Sequence, residues 1–267
     1  MTFYHLLSIA LIQGITEFLP ISSSGHLILL PSLSKLPDQG LFIDVAVHLG
    51  TLLAVLIYFW KDTRSIPLGF YDLSTGNGSS KSAKLLKFLI LVTIPVIIIG
   101  AIFKITGLIE MLRTIEVIGW TMVIFGVFLY LADRYSNQER TEFSLNPRHI
   151  IVLGLWQSLA LIPGTSRAGA TITAGLLLGY KRRNAVRISM LMAIPTIFAS
   201  GVYESYEIWQ TKNSIPINDV ALVTVLTFIF ALLALNVMMR LLNKINFTPY
   251  VVYRIILGLL LLGLAYI

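Results

Sequence analysis

Apolar residues run through this chain in long stretches, and polar residues come in bursts between them. The runs at about 41–60, 88–103, 115–131, 188–209, 220–239 and 249–267 each approach the length of about 20 residues that a crossing helix needs. They predict six transmembrane helices, with Pro195 as a kink in the fourth. Two further apolar regions are interrupted. The first breaks at Gln13-Gly14-Ile15-Thr16-Glu17-Phe18-Leu19-Pro20-Ile21-Ser22-Ser23-Ser24-Gly25-His26 and resumes at about Leu27–Leu33; the second, 150–178, breaks at Ile162-Pro163-Gly164-Thr165-Ser166-Arg167-Ala168-Gly169. No piece beside either break is long enough to cross alone, so each region predicts a re-entrant helix pair around a short polar loop. Broken backbone is tolerated at membrane depth only inside protein or around trapped water. A small loop with Lys35, Pro37, Asp38 and Gly40 follows the first pair. The stretch 61–87, with Gly76-Asn77-Gly78-Ser79-Ser80 inside it, reads as a flexible connection.

The two halves share one order, a broken helix pair and then three crossings. Charge tests this independently. Segments 61–87, 133–149, 180–187 and 240–247 hold 14 Lys and Arg, whereas 34–40, 104–114 and 204–219 hold 4. That asymmetry satisfies the positive-inside rule, with the first set cytoplasmic. Three crossings per half is odd, so the second half enters from the opposite side. The expected fold is all-α and polytopic: one membrane-embedded domain over 1–267, with inverted-topology repeats at about 1–132 and 149–267. Such repeats bring their broken helices together near the midplane.

Composition narrows the class. Of 267 residues, 56% are hydrophobic and 12% charged, and the mean hydropathy is +0.83, which excludes an ordinary soluble enzyme. Without cysteine there are no disulfides and no thiolate metal sites. Residues 1–34 carry no Lys or Arg, so the basic start of a cleavable signal is missing and the apolar N-terminus is expected in the mature protein. The net charge of +7 does not point to nucleic acid, because the basic residues cluster in short loops between apolar runs.

The candidate chemistry lies in the two breaks. A charged side chain at the bilayer centre costs at least about 2.5–3.5 kcal/mol, so such residues face cavities and mark function. Bringing the loops tip to tip sets Glu17, Ser22, Ser23, Ser24, Gly25 and His26 against Gly164, Thr165, Ser166 and Arg167. Helix N-termini after each break suit phosphate oxygens, and Arg167 can grip a phosphate bidentately. Glu17 repels that phosphate unless a divalent cation intervenes or Glu17 serves as a general base.

The run from Gln13 to His26 resembles the Glu/Gln-x-x-x-Glu motif and serine-rich loop of the undecaprenyl-diphosphate phosphatases, also called bacitracin-resistance proteins. Pro163-Gly164-Thr165-Ser166-Arg167-Ala168-Gly169 resembles their second motif, Pro-Gly-x-Ser-Arg-Ser-Gly, and the likeness extends over nearly the whole chain, including Asp44-Val45-Ala46-Val47-His48-Leu49-Gly50-Thr51. The resemblance implies an enzyme of the bacterial inner membrane that hydrolyses the C55 isoprenyl diphosphate to monophosphate and inorganic phosphate, recycling the lipid carrier of cell-wall synthesis. It also implies Mg2+ or Ca2+ dependence, a site opening to the periplasm, interdigitated inverted repeats and a homodimer. Catalytic roles carry over to Glu17, Ser23, His26 and Arg167, with Glu17 also a candidate metal ligand and Ser22, Ser24, Gly25, Gly164, Thr165 and Ser166 around the phosphate. Gln13 stands where many members have glutamate, and Ala168 where they have serine. The nucleophile is Ser23, His26 or water.

Each residue also has a plainer reading. Ser22–Ser24 can cap a helix, His26 can be a bonded interior histidine, and Glu17 with Arg167 can be a structural ion pair. Gln13 and Gln157 suit packing, while Asp44 and His48, four apart on one helix, suit either a metal or hydrogen bonds between helices. Two other classes compete. A secondary transporter or flippase of a lipid phosphate shares the broken-helix repeats. A phosphatidic-acid-phosphatase signature needs a histidine six residues after its arginine, and that position is Thr173.

Overall fold

The computed structural model describes residues 1–34, 37–141, 145–211, 216–242 and 244–266; Lys35 and Lys212, two of the basic residues counted above, lie outside them. The described residues are helical and connecting segments, with no strand named among them. Six helices are long and apolar enough to cross a membrane: α3 (Leu41–Tyr58), α6 (Lys81–Ile105), α8 (Ile115–Tyr135), α11 (Arg182–Thr211), α12 (Ile217–Leu241) and α13 (Thr248–Tyr266). Each satisfies its backbone internally, as hydrocarbon requires. Large apolar side chains such as Ile97, Ile98, Phe198, Leu259 and Leu260 lie exposed on their outer faces, where lipid takes the place of a core.

Four helices are shorter. α1 (Phe3–Thr16) and α2 (Ser23–Ser34) flank the first break; α9 (Pro147–Ser158), a 3-10 turn at Leu159–Leu161 and α10 (Arg167–Leu177) flank the second. At 1.5 Å per residue none reaches the roughly 30 Å of a hydrocarbon core. The breaks begin and end close to where the polar residues interrupt the apolar pattern. Pro195 sits inside α11 without ending it.

The stretch after α3 corrects an expectation. It is not a flexible connection but two helices, α4 (Trp60–Thr63) and α5 (Ser65–Ser74), with α5 packed on α6. A Cβ on Gly69 would come within 2.6 Å of the Ser82 carbonyl, so only glycine permits that approach. The glycine- and serine-rich turn is also fixed. Ser80 Oγ accepts from Ala83 N at 2.9 Å and donates to Asp72 Oδ2 at 2.6 Å, and Lys87 Nζ donates to the Gly78 carbonyl at 3.1 Å. A final short helix, α7 (Leu108–Met111), lies between α6 and α8.

Packing crosses between the halves. α1 lies on α12, and α9 lies on α6, while α3 contacts both α11 and α12 and α8 contacts α13. The short helix α10 is buried along its length, from Ala168 to Leu176, between α8, α9 and α11. Its Ala, Gly and Thr residues let neighbouring backbones come close, as small residues do in membrane interfaces. The core of the bundle therefore holds, at its centre, a helix whose first residue is Arg167.

Candidate active site

The two breaks meet. A Cβ on Gly25 would lie 3.6 Å from the Cα of Gly164, and Arg167 Nη2 donates to Glu17 Oε1 at 2.7 Å. Both side chains are largely buried, at 12% and 9% exposure, so the pair is a desolvated one and each charge depends on the other. The second carboxylate oxygen of Glu17 accepts from Ser23 Oγ at 2.6 Å and from Gln13 Nε2 at 3.1 Å. Arg167 is steadied from the far side by the Ser189 carbonyl at 3.2 Å. A hydroxyl, a carboxylate and a cation thus form one connected network, the arrangement an activated hydroxyl needs.

The local chain explains how the loops hold their shape. Ser22 and Ser166 both have positive φ, 75° and 70°, and they are the non-glycine residues in that region among those described. Each hydroxyl accepts the backbone N–H of a glycine three residues on, Gly25 at 3.3 Å and Gly169 at 3.0 Å. The two breaks therefore use the same device 144 positions apart. Gly164 has φ of +86°, and a Cβ there would fall 2.2 Å from Thr121 Oγ1. Thr121 in turn donates to the Pro163 carbonyl at 2.6 Å.

A cavity of about 230 Å³ opens beside Ser23, room for several waters at about 30 Å³ each. Of the residues singled out from sequence, Gln13, Ser23, Ser24, Asp44 and His48 line it. Glu17, Gly25, His26 and Arg167 do not, and neither do Ser22, Gly164, Thr165 and Ser166. The Ser22 and Ser166 hydroxyls are caps, and the Thr165 side chain is wholly buried without a partner. The last four shape the loops behind the cavity wall. Asp44 and His48 are joined through the backbone, His48 Nδ1 donating to the Asp44 carbonyl at 2.7 Å. Gln157 makes only a long contact with the Val92 carbonyl, in keeping with a packing role.

His26 faces a different neighbour. Its Nδ1 lies 2.6 Å from the Ser22 carbonyl, which can only accept, so in the neutral ring the proton sits on Nδ1. Nε2 then accepts from the Tyr253 hydroxyl at 2.6 Å, with the two rings stacked at 5.7 Å. Ser23 and His26 consequently belong to two adjoining networks rather than one.

Sequence reading passed over Tyr253, Arg254, Gln39 and Glu204. Arg254 is fully buried and donates to the carbonyls of Pro20, Thr121, Met122, Gly164 and Thr165, fastening both loop tips to α8. Elimination finds it: of 20 basic residues, 18 fall in connecting segments, and the two left inside apolar stretches are Arg167 and Arg254. Glu204 falls where the crossing run 188–209 and the connecting segment 204–219 overlap, and it lies inside α11; Gln39 carries no signal.

A divalent cation needs oxygen atoms that are not already engaged. Glu17 is largely engaged, since Oε1 accepts from Arg167 and Oε2 from both Ser23 and Gln13, which leaves a single lone pair on Oε1. The cavity wall does offer them: Oε1 of Gln13, Oε1 of Gln39 and Oε2 of Glu204 are buried acceptors without donors, next to the Asp44 carboxylate. An oxygen-seeking ion fits that donor set.

The family model described as bacitracin resistance protein BacA matches residues 6–260. An undecaprenyl-diphosphatase of Ruegeria pomeroyi is 54% identical over 268 residues, and one of Jannaschia sp. is 52% identical over 266; each alignment covers all of both chains. An undecaprenyl-diphosphatase of Teredinibacter turnerae is 43% identical over 262 residues, 98% of each chain.

Proposed function

The chain belongs to the bacitracin resistance protein BacA family, and from that premise we propose how its helix breaks work. The protein is an undecaprenyl-diphosphatase, an integral-membrane phosphatase that hydrolyses undecaprenyl diphosphate to undecaprenyl phosphate and inorganic phosphate. It thereby returns the lipid carrier to cell-wall synthesis.

In the proposed mechanism Ser23 is the nucleophile, and the contact that carries the reading is its 2.6 Å hydrogen bond to Glu17. A terminal phosphate that enters the cavity beside Ser23 and reaches past Glu17 competes for the Arg167 guanidinium, which lies behind the cavity wall. The carboxylate released from that pairing regains its affinity for the Ser23 proton. Ser23 Oγ then bonds to the terminal phosphorus as the bridging P–O bond breaks, undecaprenyl phosphate leaves, and Glu17 holds the proton. Glu17 passes that proton to the departing undecaprenyl phosphate; water then attacks the phosphoserine, and its proton is taken by Glu17 and returned to Ser23 Oγ as the P–Oγ bond breaks and inorganic phosphate leaves. Arg167 and the first-turn N–H groups of α2 stabilise the equatorial oxygens, the chief source of rate in phosphoryl transfer. His26, held by Ser22 and Tyr253, fixes the turn and serves as the adjoining proton donor or acceptor. Mg2+ or Ca2+, bound at the cavity carboxylates, would neutralise the two phosphates.

The same reading takes residues 1–267 as one membrane-embedded domain of two inverted repeats, each a re-entrant pair followed by three crossings. Its support is the exchange of packing, α1 on α12 as α9 is on α6, and the matched Ser22 and Ser166 caps. The cavity is lined in part by Gln39, Ile109 and Arg113, all from connecting segments poor in Lys and Arg. The positive-inside rule puts those segments outward, so the site opens to the periplasm of an inner-membrane protein. A homodimer is part of the proposal, tested by light scattering in detergent.

The decisive experiment measures phosphate release from undecaprenyl diphosphate by purified wild type, Glu17→Ala, His26→Ala and Arg167→Ala, with acid-quenched trapping of phosphate on Ser23. Severe loss in all three and a phosphoserine at Ser23 support the mechanism. Solvent oxygen entering the product with no trapped intermediate would exclude Ser23, and lipid translocation without release would favour a transporter.

A further inference from the structure

The cavity wall beside Ser23 has an unusual consistency. Gln13 comes from α1 and Gln39 from the stretch before α3, yet both are held in the same way. Each donates its amide N–H to a carboxylate, Gln13 to Glu17 at 3.1 Å and Gln39 to Asp44 at 2.9 Å. That contact fixes the amide, because turning it over would set its carbonyl oxygen against an anionic oxygen. What remains on each side is a buried carbonyl oxygen with no donor, and Glu204 Oε2 is in the same condition. Gln13 is fully buried and Gln39 is 9% exposed, and both line the cavity together with Asp44 and Glu204.

Unpartnered buried acceptors are individually expensive. Three of them around one space, beside two carboxylates, call for a positive occupant. The protein's own donors leave all three oxygens unbonded. Arg113 stands at the cavity and has no ion pair with Asp44 or Glu204 among the described residues, and His48 spends Nδ1 on the Asp44 carbonyl. Among the described residues no three His, Asp or Glu converge closely enough to hold a metal by themselves. Mg2+ does not require that: it keeps waters and is commonly held by one or two carboxylates together with substrate phosphates.

We propose that this cavity binds a divalent, oxygen-seeking cation through Asp44, Glu204 and the carbonyl oxygens of Gln13 and Gln39, with water or diphosphate oxygens completing its shell, and that Glu17 is not a ligand. The identification of the completing phosphate rests on the phosphatase reading; the oxygen array does not. Gln13 then bridges the two functions, its amide nitrogen on the base and its amide oxygen on the cation.

The test uses Mn2+ as an electron-paramagnetic probe on the purified full chain, with and without methylene diphosphonate, and competition by Mg2+ and Ca2+. Wild type binds Mn2+ saturably. Glu204→Gln and Asp44→Asn weaken it about 10- to 100-fold, as loss of groups around a metal does, while Glu17→Gln stays within about twofold. Gln39→Glu adds an anionic oxygen and tightens binding, which a misfolded variant cannot do. Absence of saturable binding in wild type under both conditions, or loss in Glu17→Gln with Glu204→Gln and Asp44→Asn unaffected, would overturn the proposal. Saturable, Glu204-dependent Mn2+ binding by a wild type that releases no phosphate would support the cation site while sinking the phosphatase reading.

Discussion

Glu17 and Arg167, 150 positions apart in the chain, meet through a 2.7 Å contact between Oε1 and Nη2. The contact joins the two helix breaks, and it is buried, so removing one partner leaves the other charge stranded in a low dielectric. Arg167→Ala is therefore expected to destabilise the protein by about 3–5 kcal/mol. The double variant Glu17→Gln with Arg167→Ala regains most of that stability and none of the activity. Thermal unfolding in detergent and phosphate release, read on the same preparations, separate the structural share of this pair from its chemical share. If the double variant unfolds as readily as the single one, the pair is not the electrostatic unit described.

Ser22 and Ser166 carry opposing effects that substitutions can separate. A left-handed backbone costs a non-glycine residue about 1–2 kcal/mol, and a serine cap contributes about 1 kcal/mol. Glycine removes both, so Ser22→Gly and Ser166→Gly remain within about 1 kcal/mol of wild type. Alanine keeps the strain and loses the cap, so both Ser→Ala variants lose about 1–2 kcal/mol. Unfolding temperatures in the order wild type, glycine, alanine at both sites are expected. A reversal at one site would mean that the two loops do not share one device.

Much of this was legible in the chain, and the physical reason is the cost of polarity in lipid. Breaks at Glu17–Ser22 and Ile162–Ser166 stand out because nothing else interrupts the apolar runs there, and a buried Arg167 demands an anion, which Glu17 alone among neighbouring candidates supplies. Other features depend on side-chain direction, which periodicity does not carry. Ser22, Ser23 and Ser24 are one run in sequence, but in space Ser22 caps, Ser23 bonds Glu17 and Ser24 lines the cavity. His26 lies three residues from Ser23 and turns instead to Tyr253, on the last helix. The stretch 61–80 misled because glycine and serine mark linkers by composition, while here Ser80 caps a helix and Gly69 allows α5 to lie against α6.

Tyr253 tests whether His26 acts through its position. Its hydroxyl is the partner of Nε2 at 2.6 Å, and a neutral hydrogen bond is worth about 1–1.5 kcal/mol net, roughly a tenfold effect. Tyr253→Phe keeps the stacked ring and removes only that bond, so stability falls by about 1–1.5 kcal/mol and kcat about tenfold, with KM little changed. His26→Ala should cost far more. Equal activity of Tyr253→Phe and wild type over the whole pH range would leave the tyrosine as packing alone.

Arg254 fastens both loop tips to α8. Its guanidinium serves five backbone carbonyls, from Pro20 in one loop, Gly164 and Thr165 in the other, and Thr121 and Met122 of α8 between them. No carboxylate among the described residues pairs with it, so its value lies in the fork of donors rather than in charge. Lysine keeps the charge but has three donors on a single point, and it leaves at least two of those carbonyls unsatisfied at about 1–3 kcal/mol each. Arg254→Lys is accordingly expected to lower stability by roughly 2–6 kcal/mol and to depress activity further than that loss of fold explains, because both loop tips are released together. The measurement pairs phosphate release at a temperature where the variant is still fully folded with crosslinking between cysteines introduced in place of Ile21 and Thr121. Wild-type turnover in folded Arg254→Lys, with crosslinking undiminished, would show that the loops hold their positions without it.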